Sequence, residues 1–474
     1  MAEELKPEIC VIGGGPGGIA LATAAANRGL PVVLVERNRL GGANLREGGV
    51  PTKALTAAAE IYDTLRRGPG FGVTGAPLQV NLARVQDHVH AVSEAAAANV
   101  SEGRLAALGV TVIPAEGRFA DRRTLVAGEI TIRARHFVIA TGSVALWPDH
   151  AGLDDVDVLD VAGALDLSRK PSHLIVLGAG GRALEFAQAV NRLGVDASVI
   201  DDGAALAGQD PELTAPLLER LRLEGVRVRE EAAIVAFARR RGGVRVTLRE
   251  GGEEVGIDGS HLVVVSGRAP AVDGLGLEAA GVDYNVAGII VDRRLRTANK
   301  RIYAIGDAVA GPASTNRAEH HAGLVLAAIA GGTGGGHPES AVPYVVFTDP
   351  QFARVGMSEA EAREGNRIVR VLRVPFIEND LAQAERTTAG LIKVVASDRG
   401  RILGAAAVGR GAGEIIALWS LAMANGLGIE AMKSFPAPYP ARADIARRVA
   451  LAFDGPGRTP IRRSGLFSFT RRSG

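Results

Sequence analysis

Residues 9–26 have the sequence ICVIGGGPGGIALATAAA, in which a short apolar run enters a glycine-rich turn and leaves it as an alanine-rich segment. A short apolar run before such a turn is typical of a strand buried in a parallel sheet. The alanine-rich segment stops at Gly29, and a second apolar run at residues 31–35 ends in Glu36. This order of strand, glycine turn, helix, strand and acid predicts a Rossmann-like dinucleotide-binding unit.

The same pattern returns later in the chain. Residues 173–193 have the sequence HLIVLGAGGRALEFAQAVNRL, and a further strand at residues 197–200 leads to Asp201. In both copies, 23 positions separate the first glycine of the turn from the acid. One such turn can be a connection that binds nothing, whereas two copies in the same context at the same spacing favour cofactor binding. We therefore predict two dinucleotide sites.

Each position in the two turns has a physical role. The first glycine allows a tight turn, the second lets the backbone approach a pyrophosphate, and the third lets the helix pack closely on the strand. The free N–H groups at the helix start then face the phosphates, and the acid accepts hydrogen bonds from a ribose hydroxyl. These positions are Gly13, Gly15, Gly18 and Glu36 in the first copy, and Gly178, Gly180, Ala183 and Asp201 in the second.

Composition limits the remaining chemistry. The 474 residues are 47% hydrophobic and 22% charged, which predicts two to four globular domains. A net charge of +2 does not indicate a nucleic-acid-binding surface. Cys10 is the only cysteine, so neither an intramolecular disulfide nor a thiolate zinc cluster can form. The charged start and the short apolar runs lead us to expect a cytoplasmic protein, and the histidines show no metal-ligand spacing.

Further motifs resemble the pyridine nucleotide-disulfide oxidoreductases, and within them the mercuric reductase and dihydrolipoamide dehydrogenase branch. The resemblance extends to about residue 450 and implies an α/β fold of two Rossmann-like domains, for FAD and NAD, plus an α+β C-terminal dimerisation domain. It also implies a homodimer. The motifs are ATGS at residues 140–143, IYAIGDA at 302–308, VPY at 342–344, TDP at 348–350 and RVG at 354–356.

The resemblance, with a glycine-rich run at residues 331–338, suggests the domain boundaries. Residues 81–108 are additionally predicted to form one long helix. The expected segments are residues 1–150 as the first part of the FAD-binding domain, 151–272 as the NAD(P)-binding domain, 273–336 as the returning part of the FAD-binding domain, 337–455 as the dimerisation domain, and 456–474 as a basic tail.

Residue roles around the cofactors also follow from the resemblance. Lys53 and Glu185 would form an ion pair beside the reactive flavin nitrogen, where the nicotinamide docks. A lysine there stabilises negative charge on the reduced flavin, and a buried lysine needs an anionic partner; an exposed helix lysine is the alternative. Asp201, with no arginine in the next dozen positions, favours NADH over NADPH. The other expected FAD contacts are Glu36 at the ribose, Asp307 at the ribityl chain, and Thr141, Gly142 and Asn316.

Two departures from the family pattern concern its thiol chemistry. The family's redox signature has two cysteines separated by four residues, but here the matching segment is GGANLREGGVPTK at residues 41–53, with Asn44 and Gly49 at the cysteine positions. In the C-terminal signature, Tyr439 stands in place of the catalytic histidine and Asp444 in place of its glutamate. Tyrosine titrates near ~10, so it donates a hydrogen bond and does not serve as the base for thiol exchange. Cys10, in the first strand, is expected to be a small buried hydrophobe.

These departures predict an FAD-dependent NAD(P)H oxidoreductase that passes electrons directly from the flavin to a small organic acceptor, in the manner of a quinone reductase or diaphorase. Arg182 stands where the family has an apolar residue near the nicotinamide, and Arg317 is either near the flavin or exposed to solvent. The alternatives are a transhydrogenase between NADH and NADP, which Asp201 opposes, a reductase of one specific metabolite, and a non-catalytic FAD-binding sensor or assembly protein. The candidate substrate-pocket residues are Asn44, Gly49, Arg46, Arg182 and Arg317.

The basic tail at residues 456–474 has several arginines interleaved with Leu466, Phe467 and Phe469. Such a segment can make a weak peripheral contact with an anionic membrane. The alternative is a frayed terminus, which is common at chain ends.

Overall fold

The computed structural model describes residues 3–76, 78–331, 339–365 and 368–454. The basic tail, with its expected membrane contact, lies outside the described residues, as does most of the glycine-rich run at 331–338. The chain has the expected α/β fold class, with two parallel Rossmann-like sheets and a C-terminal α+β unit. No helix in the described ranges is both long and apolar enough to cross a membrane.

Strands and helices alternate along most of the chain. The strands are β1 (Glu3–Leu5), β2 (Ile9–Ile12), β3 (Val32–Val35), β4 (Val110–Ile113), β5 (Gly117–Phe119), β6 (Leu125–Ala127), β7 (Ile130–Ile132), β8 (His136–Ile139), β9 (Ser143–Ala145), β10 (Val158–Leu159), β11 (His173–Leu177), β12 (Asp196–Ile200), β13 (Arg227–Arg229), β14 (Ala233–Arg240), β15 (Gly243–Glu250), β16 (Glu253–Gly259), β17 (His261–Val264), β18 (Arg268–Pro270), β19 (Tyr284–Asn285), β20 (Gly288–Ile289), β21 (Ile302–Ala304), β22 (Tyr344–Val346), β23 (Gln351–Gly356), β24 (Val369–Pro375), β25 (Leu391–Ser397) and β26 (Ile402–Gly409). The α-helices are α1 (Pro16–Ala26), α2 (Gly42–Arg46), α3 (Gly49–Arg67), α4 (Leu82–Ala98), α5 (Glu102–Ala107), α6 (Val161–Leu165), α7 (Gly181–Arg192), α8 (Pro211–Glu224), α9 (Leu277–Ala280), α10 (Thr315–Ile329), α11 (Glu359–Gly365), α12 (Asp380–Ala384), α13 (Ala412–Ala424), α14 (Ile429–Ser434) and α15 (Asp444–Leu451).

The first parallel sheet has the strand order β21-β8-β2-β3-β4. Every residue of β2 is buried because helices or loops cover both sheet faces, and this explains its unbroken apolar sequence. Cys10 packs on one face and its neighbour Val11 on the other. Helices α1 and α10 lie together on the Val11 face, so the starts of both helices are brought to the same edge of the sheet.

The second parallel sheet has the order β10-β17-β11-β12-β13. Helix α7 packs on it through a nearly continuous set of buried residues that also contact the Ala54 and Leu55 side of α3. The helix predicted over residues 81–108 is instead two helices, α4 and α5, separated at residues 99–101. Ser101 precedes α5 in an extended conformation, a favourable position for a residue that starts a new helix.

The C-terminal sheet is antiparallel, with the order β22-β23-β26-β25-β24. Fully buried Trp419 on α13 and Ile445 on α15 pack against this sheet. The unit is joined to the second parallel sheet through a buried arginine. Arg192 of α7 donates to Glu224 of α8 at 2.6 Å and to Asp349, in the loop before β23, at 2.9 Å.

A short antiparallel pair connects the two dinucleotide-binding sheets. Strand β9, which follows β8 of the first sheet, pairs with β18, which follows β17 of the second. The carboxyl ends of the parallel strands in a Rossmann-like sheet are the usual place for a ligand. The β9–β18 pair therefore holds the two ligand-binding edges beside each other.

Candidate active site

The first glycine turn has the geometry that a bound pyrophosphate requires. Gly13 has φ +111°, and a Cβ atom there would overlap the carbonyl oxygen of Ala140. A Cβ atom at Gly18 would overlap the carbonyl oxygen of Gly13, so only glycine allows this close approach of helix and strand. At Gly15 a Cβ atom would meet nothing within 4 Å, and no side chain caps α1. The free N–H groups of α1 are thus open to an anion.

The second turn repeats this geometry with one difference. Gly178 has φ +110°, and a Cβ atom there would lie 2.8 Å from the Cα atom of Ser266. Gly180 borders open space, and α7 has no side-chain cap either. The third position is Ala183, whose methyl group is fully buried. This turn therefore fits a second dinucleotide, with a buried alanine at the position of the third glycine.

The acids after the two turns are held in the same way. Glu36 accepts hydrogen bonds from the amides of Gly14 at 2.6 Å and Asn38 at 2.7 Å. Asp201 accepts from the amides of Ala179 at 2.6 Å and Gly203 at 2.8 Å. Two carboxylate oxygens offer about four lone-pair sites, so each acid can still accept a ribose hydroxyl.

Polar groups after the end of β8 lie at the same dinucleotide-binding site as the first glycine turn. The Thr141 hydroxyl is buried and has no hydrogen-bond partner in the described chain, and a Cβ atom at Gly142 would meet nothing within 4 Å. Asp307, after β21, accepts a 2.8 Å hydrogen bond from the Ser143 hydroxyl. A buried hydroxyl that has no partner and borders open space is a group with which a bound ligand can form a hydrogen bond. These residues fit an FAD bound along the first turn.

Lys53 and Glu185 form the predicted ion pair, which joins α3 to α7. The Glu185 side chain is only 7% exposed, and its other oxygen accepts the amide of Phe347 at 2.7 Å. The Lys53 ammonium lies 4.5 Å from the centre of the Phe347 ring. The amide of Phe347 orients the Glu185 carboxylate, which in turn holds the lysine in one position.

Asn44 and Gly49 are in direct contact at the junction of α2 and α3. Asn44 Oδ1 lies so close to Gly49 that a Cβ atom at position 49 would overlap it. The same oxygen accepts a 3.2 Å hydrogen bond from the Thr315 hydroxyl at the start of α10. The Asn44 carboxamide thus fills part of the space beside Gly49. Gly49 lies one helical turn before Lys53, on the same face of α3.

Two arginines from the second dinucleotide-binding unit reach the same junction. Arg182 donates to the carbonyl oxygen of Glu47 at 3.2 Å, and Arg268 pairs with the Glu47 carboxylate at 3.2 Å. Arg268 also donates to the Ser143 hydroxyl at 2.8 Å, which continues the chain of contacts to Asp307. Burial, together with the nearby charge of Arg268, lowers the pKa of Arg182.

Arg46 and Arg317, the other two candidate substrate-pocket residues, each have hydrogen-bond partners within the chain. Arg46 donates to the carbonyl oxygen of Leu40 at 3.0 Å. The Arg317 side chain is only 5% exposed, which corrects the expectation of a solvent-exposed arginine, while a place beside the flavin remains a prediction. It donates to the carboxylate of Glu339 at 2.6 Å and, in the turn that carries Asp307, to two carbonyl oxygens, those of Gly306 at 3.2 Å and Ala310 at 2.6 Å.

Asn316 is directed at the C-terminal unit. Its side-chain amide donates to the carbonyl oxygen of Pro343 at 2.7 Å, just before β22. This contact helps to anchor the start of α10, whose N-terminus carries a partial positive charge. A contact between Asn316 and FAD remains a prediction.

Tyr439 and Asp444 lie apart from the Lys53–Glu185 pair, on the C-terminal unit. The Tyr439 side chain is 73% exposed, and its hydroxyl donates to Asp380 at 3.0 Å, not to Asp444. This hydrogen bond raises the pKa of Tyr439, so its phenol remains a donor at neutral pH. Asp444 instead accepts from Arg448 at 2.6 Å. Tyr439 and Asp444 thus each contact other residues of the C-terminal unit, and their catalytic roles remain a prediction.

Some site residues had no strong sequence signal. Ser143 ends the predicted ATGS motif, but Arg268, Glu47 and Thr315 belong to no recognisable spacing. Their roles depend on contacts between residues more than a hundred positions apart, such as Arg268 with Ser143. Within the described residues, no cluster of His, Cys, Asp and Glu side chains is suited to hold a metal ion.

Comparison with protein-family models identifies two matched regions. Residues 7–322 match the model described as pyridine nucleotide-disulphide oxidoreductase, and residues 342–449 match the dimerisation domain of the same family. Together these regions include both glycine turns, the Lys53–Glu185 pair and the C-terminal antiparallel sheet.

Similar proteins and structures agree with these matches. The chain is 33% identical to the dihydrolipoyl dehydrogenase of Geobacillus stearothermophilus and 33% identical to the mercuric reductase of Streptomyces lividans, in each case over 94% of this chain and 96% of the relative. The flavoprotein disulfide reductase RclA of Escherichia coli, described as HOCl-induced, superposes with a TM-score of 0.82 at 25% identity, covering 94% of this chain and 99% of that one. LpdA of Mycobacterium tuberculosis superposes with a TM-score of 0.84 at 25% identity and the same coverage.

Proposed function

The chain belongs to the pyridine nucleotide-disulphide oxidoreductase family, and from this premise we propose that it oxidises NADH and passes the electrons directly from FAD to a quinone-like organic acceptor. It is an FAD-dependent pyridine nucleotide oxidoreductase, and its dimerisation domain supports a homodimer. The observation that carries the proposal is the contact of Asn44 with Gly49 at the two positions where the family has its redox cysteines.

FAD, when bound, takes a hydride from the nicotinamide and returns the two electrons to a second substrate. The chain's own residues would bind and orient the reactants. The two glycine turns would hold the phosphates, while Glu36 and Asp201 would bind the riboses. Lys53 would place a positive charge beside the reactive flavin nitrogen, held there by Glu185 and the ring of Phe347. The overall reaction is NADH + H⁺ + quinone → NAD⁺ + hydroquinone.

A preference for NADH over NADPH is part of the proposal. The carboxylate of Asp201 is fixed at the mouth of the second turn, and exposed Asp202 follows it. One more acid lies beside the same loop, since Glu230 accepts the amide of Ala205 at 3.1 Å, although it also pairs with Arg222. A 2′-phosphate would be repelled by this concentration of negative charge.

The proposal gives Tyr439 and Asp444 a place in the partner's half of a homodimer. Tyr439 is exposed and lies on the unit that matches the dimerisation domain. A phenol whose pKa is raised can donate a hydrogen bond to a bound acceptor at neutral pH, but it does not serve as a base for thiol exchange. This agrees with electron transfer that involves no thiol.

Steady-state oxidation of NADH with a panel of acceptors tests the proposed function. We expect turnover with menadione and with ferricyanide, and no turnover with lipoamide or mercuric ion. Reduction of lipoamide would contradict the thiol-free route, and NADP⁺ as the best acceptor would identify a transhydrogenase. Flavin that NADH cannot reduce under anaerobic conditions would indicate a non-catalytic flavoprotein. The Lys53→Met variant should reduce turnover, whereas Lys300→Met, at an exposed position, should not.

A further inference from the structure

The α2–α3 junction contains one side chain whose donors are not used within the described chain. Asn44 is half-buried, its Oδ1 accepts the Thr315 hydroxyl, and its Nδ2 has no hydrogen bond to any described residue. Two neighbouring side chains have partners, since Arg46 donates through Nη2 to Leu40 and Glu47 pairs with Arg268. Arg46 Nε has no partner but is buried, whereas Asn44 is only half-buried. The Asn44 amide can thus bind a ligand without first losing a partner.

The Asn44 carboxamide is placed with its oxygen towards the Thr315 hydroxyl. Because Oδ1 is engaged on one side, the two N–H donors of the planar amide are directed away from that oxygen. The absence of a side chain at Gly49 is what allows this position, since a Cβ atom there would overlap Oδ1. Residues 44 and 49 therefore form one unit, in which glycine makes room for an oriented amide.

Asn44 and Gly49 lie near Lys53 in the chain, and Lys53 belongs to the ion pair with Glu185 that is proposed to act beside the flavin. Gly49 and Lys53 are one turn apart on α3, and Lys53 is held by Glu185 at the proposed nicotinamide position. Gly49, which contacts the Asn44 carboxamide, thus lies on the same face of α3 as Lys53. An amide N–H is neutral at every working pH, so it can bind a carbonyl oxygen without changing the charge of the site.

We propose that Asn44 Nδ2 is the hydrogen-bond donor that binds a carbonyl oxygen of the quinone acceptor. This inference rests on the proposed function and specifies the acceptor as one with a carbonyl oxygen to be reduced. During the reaction a quinone gains two electrons and two protons, one carried with the hydride from NADH and one from solvent, and both oxygens become hydroxyls. Negative charge develops on the oxygens as the electrons arrive, so a donor at one of them favours the transfer.

The experiment compares menadione, which has carbonyl oxygens, with ferricyanide, which has none. Asn44→Asp preserves the side-chain shape but removes both N–H donors. We expect the ratio of kcat/KM for menadione to kcat/KM for ferricyanide to fall about tenfold, the equivalent of one neutral hydrogen bond of about 1.4 kcal/mol. The Kd of menadione for the oxidised holoenzyme, measured from the perturbation of flavin absorbance, should rise by a similar factor. Asn285→Asp, an exposed position, is the matched control and should change neither quantity.

A second variant keeps the amide but displaces it. Gly49→Ala places a Cβ atom on Oδ1, whereas Asn44→Ala removes the amide altogether. Both variants should lower the ratio of kcat/KM for menadione to kcat/KM for ferricyanide by a similar factor. The double variant of Asn44→Ala and Gly49→Ala should lower this ratio little more than either single variant. If Asn44→Asp changes neither the Kd of menadione nor the ratio of kcat/KM for menadione to kcat/KM for ferricyanide, the inference is overturned while the proposed function remains intact. Additive losses in the double variant would also contradict it. Absence of menadione turnover in the unmodified enzyme would overturn the proposed function and this inference together.

Discussion

Glu36 and Asp201 have the same pattern of backbone hydrogen bonds at two different sites. Each carboxylate accepts a backbone amide from its own glycine turn and one from two residues further along the chain. The difference between the sites lies in their surroundings, because only Asp201 is followed directly by another acid. The charge at position 201 should therefore contribute, together with its acidic neighbours, to the choice between NADH and NADPH.

Removing that charge gives the first prediction. Asp201→Asn retains the side-chain shape and an oxygen for the backbone amides but removes one negative charge. We expect the ratio of kcat/KM for NADPH to kcat/KM for NADH to rise roughly tenfold, since repulsion of a nearby phosphate is worth about 1 kcal/mol or more. The control is Asp196→Asn, an exposed residue at the other end of β12. An unchanged ratio would show that Asp201 does not approach the 2′ position.

Cys10 is the one thiol, and its position makes it inert. The side chain is fully buried in β2, and burial raises its pKa well above the ordinary value, so the reactive thiolate does not form. We expect Cys10→Ala to retain menadione reductase activity and to lose only about 1 kcal/mol of stability from the smaller side chain. Iodoacetamide should not inhibit the native enzyme. Loss of activity with full flavin content in Cys10→Ala would contradict a thiol-free mechanism.

The two glycine turns are separate elements, and equivalent substitutions should separate their functions. Gly13→Ala and Gly178→Ala each place a Cβ atom against neighbouring backbone at positive φ. We expect Gly13→Ala to lose bound flavin, measured as flavin per protein, and Gly178→Ala to keep flavin but to be reduced slowly by NADH. Gly72→Ala, which has positive φ but open space, controls for backbone strain alone. Equal flavin content in the two turn variants would refute the assignment.

Helix α10 contains a buried histidine that makes stability depend on pH. Gly306 donates its amide to His321 Nδ1 at 3.2 Å, and burial, with the charge of Arg317, lowers the pKa of His321 to about 4. The unfolded chain binds this proton more readily, so stability is retained above pH ~6.5 and lost as the pH falls towards ~4, by about 3 kcal/mol.

Thermal unfolding of the holoenzyme tests this assignment. The Tm of the native chain should fall more steeply between pH 7 and pH 5 than that of His321→Gln, which can still accept the Gly306 amide. His88→Gln, at an exposed position, should behave like the native chain. Parallel curves for the native chain and His321→Gln would show that another group causes the dependence.

These elements also show what sequence could and could not predict. The turns at Gly13 and Gly178 were predictable because positive φ and close backbone contact restrict the residue type locally. The position of Arg317 was not, because its carbonyl partners Gly306 and Ala310 become its neighbours only when α10 packs over the turn. The contact between Asn44 and Thr315 joins residues 271 positions apart, and no periodicity indicates such a contact.

The domains of the chain are held together by buried charge rather than by a large apolar contact alone. Lys393 of β25 is only 4% exposed and lies 2.6 Å from Asp210 and 2.8 Å from both Glu212 and Glu359. Hydrogen bonding from Lys393 is the main cause that lowers the pKa of Glu359 to about 2. The lysine thus binds the start of α8, on the second parallel sheet, to the C-terminal unit.

Removal of this lysine should destabilise the whole molecule. Lys393→Met removes the cation that contacts all three carboxylates, although Arg373 still pairs with Glu212 and Glu359, and we expect this to cost about 1–3 kcal/mol. We expect a clear fall in Tm and faster limited proteolysis between the second sheet and the C-terminal unit. Lys300→Met, at an exposed position, is the control. An unchanged Tm would show that the cluster does not connect the domains.

The central claim is that the flavin is the only two-electron store in the chain. Anaerobic titration of the holoenzyme with NADH, in the presence of iodoacetamide, tests it most directly. One equivalent of NADH per flavin should complete the loss of oxidised-flavin absorbance, and menadione should then restore that absorbance in full. Consumption of a second equivalent of NADH, or failure of menadione to restore the absorbance, would contradict direct transfer from the flavin.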